Sequence, residues 1–302
     1  MLQPDAAAKQ LGPIVPDGFP DELQRLIFET AARADRKTAR QLVLVARHVR
    51  KWIEPILYEC IIIRTQRDAT LLFEAIGKKP HGFLAANVKS LAIGDSVTFQ
   101  QSKAILAACS QNIVDFAVWA DARNPTIFLP FIRSHSVRRL SLKSQPRSEL
   151  TFPPSLLSSL THLMVLDGPY SWFQMREAAR HTGCAHTGDP PYCVASSLFK
   201  SLTHFGVCSQ NWGSTQSILK VAQNLRYFAV VVPPRFKPAA KIAERIREIG
   251  DRRVVLVEHD HTIENWEADV RGGSGVWEHA ERLVRDGYFA EYGEIRIRRK
   301  WK

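Results

Sequence analysis

The sequence predicts an α/β chain in which a short N-terminal helical module precedes an irregular solenoid of strand–helix units. Two observations indicate this fold class. Apolar residues near the N-terminus recur with the 3.6-residue period of amphipathic helices, and a six-residue apolar pattern recurs along most of the remaining chain. With 302 residues and 45% hydrophobic content, the chain is long enough to bury a full core.

The N-terminal part divides into an arm and a helical segment. Residues 1–18 are rich in Ala, Pro and Gly, and we expect them to form a flexible arm. Residues 19–58 are expected to form two or three short helices. Asp21 and Asp35 are the expected N-cap residues, because a short polar side chain satisfies free N–H groups of the first turn. Pro55 is expected to end or restart the last helix, because its ring clashes with the preceding turn.

The helical segment resembles an F-box. The resemblance rests on an entry of the Leu-Pro-x-Glu-Leu type, an apolar pair in the first helix, a hydrophobic-Val-x-Arg stretch and a tryptophan near the third helix. These features are Phe19-Pro20-Asp21-Glu22-Leu23, Leu26 and Ile27, Leu44-Val45-Ala46-Arg47, and Trp52. The segment is similar to F-box-like proteins that are abundant in mushroom-forming fungi.

The resemblance implies that these helices bind a Skp-type adaptor and, through it, a cullin. The implied adaptor-binding residues are Phe19, Pro20, Leu23, Leu26, Ile27, Val45 and Val49. Such binding needs an apolar helical surface that remains after the helices have packed on one another. The alternative interpretation is a structural cap, in which the same apolar stripe packs only on the next domain of the chain.

The rest of the chain repeats a pattern of one apolar, two variable, one apolar, one variable and one apolar residue. The pattern occurs at Leu57/Cys60/Ile62, Val88/Leu91/Ile93, Ile113/Phe116/Val118, Val137/Leu140/Leu142, Leu160/Leu163/Val165, Leu202/Phe205/Val207 and Leu225/Phe228/Val230, with a degraded eighth strand at Val254–Val257. Helices are predicted at Ala69–Ile76, Phe99–Ala108, Thr126–Ser134, Gln216–Gln223 and Ala239–Ile249.

Strands and helices that alternate at this spacing resemble leucine-rich repeats, although the consensus asparagine is missing after each strand. The resemblance implies a leucine-rich-repeat-like solenoid over residues 59–260, whose units bury their apolar faces on their neighbours. One long interval adds an exposed loop near residues 177–197. Residues 261–302 form a capping segment, with a helix at Val276–Val284, and a basic tail. The other interpretation is an ordinary α/β sheet.

Charge identifies a candidate region for partners. The net charge is +11, and residues 121–250 carry 16 basic and 7 acidic side chains. Arg138, Arg139 and Lys143 are candidate client-binding residues, because strand residues between the apolar positions of a solenoid face its concave surface. Charge-assisted Arg contacts suit an acidic or phosphorylated protein. The alternative is ordinary solubility charge, and no known module accompanies the charge to favour nucleic acid.

Three groups of residues are candidates for metal binding or catalysis. Four possible zinc ligands lie in the long loop: His181, Cys184, His186 and Cys193. Their spacing matches no common zinc module. Gly94-Asp95-Ser96 is similar to the nucleophile block of GDS-type lipases, but the accompanying D-x-x-H motif is only Glu258-x-x-His261. His259 and His261 share one side of a strand end without a third ligand. The sequence therefore predicts no enzyme, no cofactor and no metal.

The sequence shows no apolar run of about 20 residues and no apolar N-terminal leader, so neither a membrane partner nor secretion is expected. Five scattered cysteines argue against a disulfide framework, and a cytoplasmic or nuclear protein is expected. Together with the resemblance, these observations predict a non-catalytic substrate receptor of an SCF-type cullin–RING ubiquitin ligase. The alternative is a stand-alone repeat scaffold that binds an acidic protein or RNA.

Overall fold

The computed structural model describes residues 20–119, 125–132, 135–143, 152–153, 156, 158–166, 201–208, 212–234, 239–260 and 262–287. The chain forms two compact units, Met1–Tyr58 and Glu59–Lys302. The described residues have a mixed α/β fold, with ten α-helices and one eight-stranded parallel sheet.

The first unit contains three helices with a core of their own. They are α1 (Asp21–Ala34), α2 (Arg36–Leu42) and α3 (Arg47–Tyr58). α1 packs against both α2 and α3. The side chains buried between the helices are those of Ala32, Ala39, Val49, Ile53 and Ile56. The spacing of Val49, Ile53 and Ile56 places them on one side of α3, as the periodicity of the sequence indicates.

Helix ends in this unit confirm one sequence prediction and overturn two. Asp35 caps α2, and its carboxylate accepts hydrogen bonds from the backbone N–H groups of Lys37 at 3.2 Å and Thr38 at 2.7 Å. The prediction that Asp21 is an N-cap was wrong, because the helix begins at Asp21 and Pro20 is the N-cap. The prediction for Pro55 was also wrong. α3 continues through Pro55, which lies between the buried residues Ile53 and Ile56.

The second unit is built on a sheet whose strands follow one another in chain order. Its strands are β1 (Cys60–Ile63), β2 (Ser90–Ile93), β3 (Asp115–Val118), β4 (Arg139–Lys143), β5 (His162–Leu166), β6 (His204–Val207), β7 (Tyr227–Val232) and β8 (Val254–Glu258). Every neighbouring pair is parallel, and the order runs from β1 to β8 without a reversal. A doubly wound sheet has a point where the strand order reverses, and this sheet has none.

All eight predicted strands are confirmed, but the register of the first was predicted one residue too early. Ile61 pairs with Leu91, whereas the sequence pattern had aligned Cys60 with Leu91. The side-chain period of a strand is two, so this shift moves Cys60 and Ile62 to the opposite face. The error arose because apolar residues occupy both alternating sets of positions here.

Helices lie between and after the strands. They are α4 (Gln66–Lys78), α5 (Phe83–Asn87), α6 (Phe99–Cys109), a 3-10 helix (Pro125–Phe131), α7 (Trp212–Val221), α8 (Ala239–Ile249), α9 (Ile263–Val270) and α10 (Val276–Arg285). Thr65 and Thr98 each form a capping box, at the starts of α4 and α6 respectively. The segment predicted as a helix at Thr126–Ser134 is a 3-10 helix in its described part. α5 and α9 were not predicted.

The two faces of the sheet carry different residues. On one face lie large side chains that are fully buried: Leu91, Phe116, Leu140, Leu163, Phe205 and Phe228. The opposite face, here called the small-residue face, carries Ala92, Ala117, Ser141, Met164, Gly206 and Ala229 in register across β2 to β7. These residues are buried as well, so the strands are covered on both faces, as is usual for parallel sheets.

Candidate functional site

The helical unit leaves several aliphatic side chains exposed although its core is complete. On α1, Leu23 is 46% exposed, Leu26 is 61% exposed and Ile27 is 55% exposed. Their spacing of three and four residues puts them on one stripe of the helix. Leu44 and Val45, in the turn between α2 and α3, are 84% and 62% exposed. The exposed apolar stripe on α1 is typical of an interaction surface.

The structure places most of the expected adaptor-binding residues at this surface. Pro20 is exposed, as are Leu23, Leu26, Ile27 and Val45, whereas Phe19 lies outside the described residues. Val49 has to be removed from the set. It is 1% exposed and packs in the core formed by the three helices, so its side chain offers nothing to a partner. Leu44, which is not among the expected adaptor-binding residues, is exposed beside Val45.

The exposed aliphatic surface is defined here as Leu23, Leu26, Ile27, Leu44 and Val45. On another side of α1 from Leu23 and Ile27, Arg25 donates a hydrogen bond to Glu29 at 2.6 Å.

A row of polar and aromatic side chains also crosses the small-residue face. On each strand, the residue in this row lies two positions before the residue that defines the face. The row consists of Ser90, Asp115, Arg139, His162, His204 and Tyr227. The Ser90 hydroxyl donates to Asp115 at 2.8 Å, and Asp115 also forms an ion pair with Arg139. The rings of His162 and His204 stack with their centroids 3.9 Å apart. The members of this polar row are therefore already partners of one another.

The candidate client-binding residues do not form one open basic patch. Arg139 belongs to the polar row and is paired with Asp115. Arg138 lies one residue before β4, outside the strand that carries Arg139 and Lys143. Arg138 is exposed and donates to the carbonyl of Ser159 at 3.1 Å. Lys143 lies on the same side as Arg139 and forms an ion pair of 2.9 Å with Asp95.

The small-residue face is covered by the last two described helices, α9 and α10. Trp277 of α10 makes edge contacts with the rings of His162 and His204, each at 5.5 Å between centroids. Glu281, one turn further on, lies 3.0 Å from Nε2 of His204. The sequence predicted a cap on the last repeat, and α10 does contact β7 and β8. Through Trp277 it also extends across the face to β5.

α9 reaches the other end of the same face. Arg64, just after β1, forms ion pairs with Glu264 at 3.0 Å and Glu267 at 3.2 Å. Arg271, at the end of α9, donates to the carbonyl of Cys60 at 3.5 Å. These contacts join residues about 200 positions apart in the chain. The C-terminal helices therefore cover the face from β1 to β8, the face that the resemblance had left for a client.

A small cavity lies between the sheet and the two helices. Its volume is about 50 Å³, enough for a few water molecules. Arg139, His162 and Asp269 contribute polar groups to its lining. Burial raises the pKa of Asp269 to about 6, although the nearby Arg139 acts in the opposite direction. Burial, together with the charges of His204 and Arg139, lowers the pKa of His162 to about 3, so this imidazole is neutral at physiological pH.

The structure describes only part of the groups that could carry chemistry. Ser96 lies in the exposed turn after β2, and His259 follows β8, whereas His261 of the Glu258-x-x-His261 motif lies outside the described residues. Among the described residues, no three His, Cys, Asp or Glu side chains cluster in a way that could hold a metal. The loop with His181 and Cys193 lies outside the described residues.

The covering helices were missed as part of the site, although the sequence carries a signal. Residues between the apolar positions of successive strands are Ala92, Ala117, Ser141, Met164, Gly206 and Ala229, and all but Met164 are small. A solvent-facing sheet surface would carry longer polar side chains at such positions. At Gly206 the reason is visible, since a Cβ atom there would lie 2.4 Å from Cε of Met164 and 2.9 Å from the ring of Trp277.

Comparisons with protein-family models, with curated proteins and with solved structures give no significant match. Within the part of the chain that the structure describes, no helix combines the length and the apolar character needed to cross a membrane.

Proposed function

We propose that this chain is a non-catalytic substrate receptor of an SCF-type cullin–RING ubiquitin ligase. In this role the helical unit docks on a Skp-type adaptor, and the sheet unit, as an irregular leucine-rich-repeat-like solenoid, holds a client protein. The receptor would supply proximity, because holding a client beside a charged E2 makes the transfer step effectively intramolecular.

The observation that carries the proposal is the exposed aliphatic surface on a unit that already has a complete core. Leu26 and Val45 are 61% and 62% exposed, whereas Ile53 of the same unit is fully buried. Burial of exposed apolar area stabilises a complex by roughly 25 cal/mol per Å². An adaptor helix that covered the stripe on α1 would bury apolar area and so gain this stabilisation. Helix-in-groove recognition needs such a stripe.

The order of the sheet supports the second half of the proposal. Strands that follow one another in chain order, each followed by a return segment, are typical of repeat proteins whose units contact only their neighbours. The described strands β1 to β8 have this order. A unit of this kind has an extended surface on which a client could bind.

The proposal is tested by binding of the full chain to a purified Skp-type adaptor, measured by isothermal titration calorimetry. The variant Leu23→Asp/Ile27→Asp should lose at least ten-fold in affinity, because two charges would replace apolar contacts. Leu71→Asp is the matched control, since Leu71 is similarly exposed at 52% but lies on α4. Circular dichroism verifies that all three proteins are folded.

Two results would contradict the receptor function. One is the absence of adaptor binding by the folded wild-type chain, which would favour the stand-alone scaffold with the helical unit as a structural cap. The other is an equal loss of affinity in the Leu71→Asp control, which would show that the effect does not come from the α1 stripe.

A further inference from the structure

α9 and α10 cover the same face but are held there by different forces. α10 buries Val276, Trp277 and Ala280, and Trp277 is only 9% exposed. Every residue of α9 keeps part of its surface exposed, although partial burial of Asp269 is enough to raise the pKa of its carboxyl group. The apolar contribution of α9 to the face comes from Ile263 and Trp266, which are only partly buried. α10 is therefore anchored by the hydrophobic effect, and α9 is held much less firmly.

Ion pairs at the surface make the main specific contacts of α9. The side chain of Arg64 is 39% exposed, and those of its partners Glu264 and Glu267 are 62% and 19% exposed. Exposed ion pairs contribute little to stability, and salt screens them. The contacts that hold α9 over β1 can therefore break without loss of the buried contacts of α10.

The segment between the two helices is suited to be a hinge. It contains Gly272, Gly273, Ser274 and Gly275. Gly272 has a φ of 86°, a conformation that side chains other than glycine rarely adopt. A Cβ atom on Gly275 would lie 2.1 Å from Cγ of Asp269, so the closed arrangement requires glycine there. The two helices thus meet at residues that combine backbone freedom with close packing.

The chemistry beneath α9 complements the chemistry of α9 itself. The helix presents Glu264, Glu267 and Asp269 together with Trp266, and the face presents Arg64 and Arg139 beside small apolar residues. Arg139 already forms an ion pair with Asp115, and the charge of Asp269 has a smaller effect on it. A segment that replaced α9 would have to provide an acidic group for Arg64 and one aromatic side chain for the apolar strip.

We propose that α9 is a displaceable lid over the β1 end of the small-residue face, and that an acidic segment of a client protein carrying one aromatic side chain binds in its place. α10 stays docked on β7 and β8 while α9 swings about the glycine segment. This inference deepens the receptor proposal, since it assigns the client surface, but it concerns contacts within the second unit and needs no adaptor.

Hydrogen–deuterium exchange of the wild-type full chain tests the lid without any substitution. At 0.1 M NaCl the amides of α9 should exchange at least ten-fold faster than those of α10, because α9 opens without global unfolding. At 1 M NaCl exchange in α9 should accelerate further, while exchange in α10 stays unchanged. Equal, salt-independent exchange in the two helices would overturn the proposal.

Peptide binding tests the partner chemistry. The probe is a fluorescein-labelled peptide with the sequence of residues 262–271, TIENWEADVR, titrated against the full chain. The variant Glu264→Arg/Glu267→Arg, whose α9 is repelled by Arg64, should bind this probe at least ten-fold more tightly than the wild type does. Glu244→Arg/Glu248→Arg on exposed positions of α8 changes the charge equally and should bind the probe as the wild type does.

Peptide affinities that are equal in the lid variant and in the α8 control would contradict the assignment of the surface. So would equal binding of a peptide in which both glutamates are lysine. Loss of adaptor binding would leave these measurements unaffected, so failure of the receptor proposal and failure of the lid proposal are distinguishable.

Discussion

The aliphatic surface of the helical unit and the small-residue face of the sheet differ in whether another segment of the chain covers them. The helical unit fills its core with residues such as Val49 and Ile53 and leaves Leu26 and Val45 outside. The sheet face is equally apolar, but α9 and α10 cover it, and its charges pair with one another. The comparison shows that an apolar pattern alone does not mark a docking surface. What matters is whether the chain has a segment that covers it.

Replacement of Trp277 tests the covered side of the comparison and has the largest expected effect. Trp277→Ala should lower the free energy of unfolding of the second unit by about 3–5 kcal/mol, since a large buried ring is lost and a cavity remains. Urea unfolding followed by circular dichroism measures the change. Trp266→Ala on α9 is the control and should cost much less, because Trp266 is only partly buried. Similar losses in both variants would mean that α9 and α10 are anchored alike.

A pair of substitutions within the helical unit separates its core from its surface. Ile53→Ala should destabilise the unit by about 2–5 kcal/mol, because Ile53 is fully buried. Leu26→Ala should change stability by no more than about 0.5 kcal/mol, as is usual for surface positions. Thermal unfolding of both variants gives the two values. A large loss in Leu26→Ala would mean that the α1 stripe is part of a core and not a docking surface.

Acid should weaken the sheet unit through His162, whose pKa burial lowers from 6.5 to about 3. Between these values the unfolded chain binds a proton that the folded chain does not, so the free energy of unfolding falls as pH falls below 6.5. From pH 7.5 to pH 5 this effect amounts to about 2 kcal/mol, at 1.36 kcal/mol per pKa unit. Asp269 acts in the opposite direction, because its pKa is raised to about 6.

The His162→Gln variant isolates the contribution of this histidine. Urea unfolding at the two pH values should show the variant less stable than the wild type at pH 7.5, because the stacked ring is lost. The difference in the free energy of unfolding should shrink by about 2 kcal/mol at pH 5, because only the wild type loses stability when His162 of the unfolded chain binds a proton. A difference that stays constant across this range would show that His162 titrates normally in the folded chain.

The smallest expected changes in stability come from substituting alanine for two glycines, Gly206 and Gly77. Gly206→Ala should lower the free energy of unfolding by about 1 kcal/mol. The added methyl group would crowd both Met164 and the ring of Trp277, and the loss is at the low end for overpacking because the flexible end of Met164 can shift, although the ring cannot. Gly77→Ala in α4 should instead stabilise by about 0.5–1 kcal/mol, since the added methyl group meets no atom within 4 Å and alanine favours the helix. Thermal unfolding distinguishes the two signs. Equal effects would show that Gly206 is not crowded by the covering helix.

The repeated strands could be predicted because each one carries its own local signal. Residues such as Leu91, Phe116 and Phe228 recur at fixed positions and are all fully buried. The one error of register, at Cys60, occurred where apolar residues fill both alternating sets of positions, so the pattern has two solutions. Similarly, Val49 satisfies the helical period, but periodicity does not distinguish a buried side chain from one that a partner covers.

The covered face could not be predicted from local patterns. Its defining contacts, such as Arg64 with Glu264 and His204 with Glu281, join positions far apart in the sequence. Nothing within a window of a few residues connects them, because each residue is unremarkable in its own helix or strand. Only the succession of small residues across β2 to β7 indicates a close-packed partner, and it does not say which segment that partner is.

Hydroxyl-radical footprinting of the full chain tests the central contrast most directly, because side-chain oxidation reports solvent exposure residue by residue. With each rate divided by the intrinsic reactivity of the residue type, Leu23, Leu26, Ile27, Leu44 and Val45 should be fully reactive. Trp119, Met164 and Trp277 should be protected at least ten-fold, in keeping with their burial. Protection of the leucines in the free chain, or full reactivity of Trp277, would contradict the account of one open surface and one covered face.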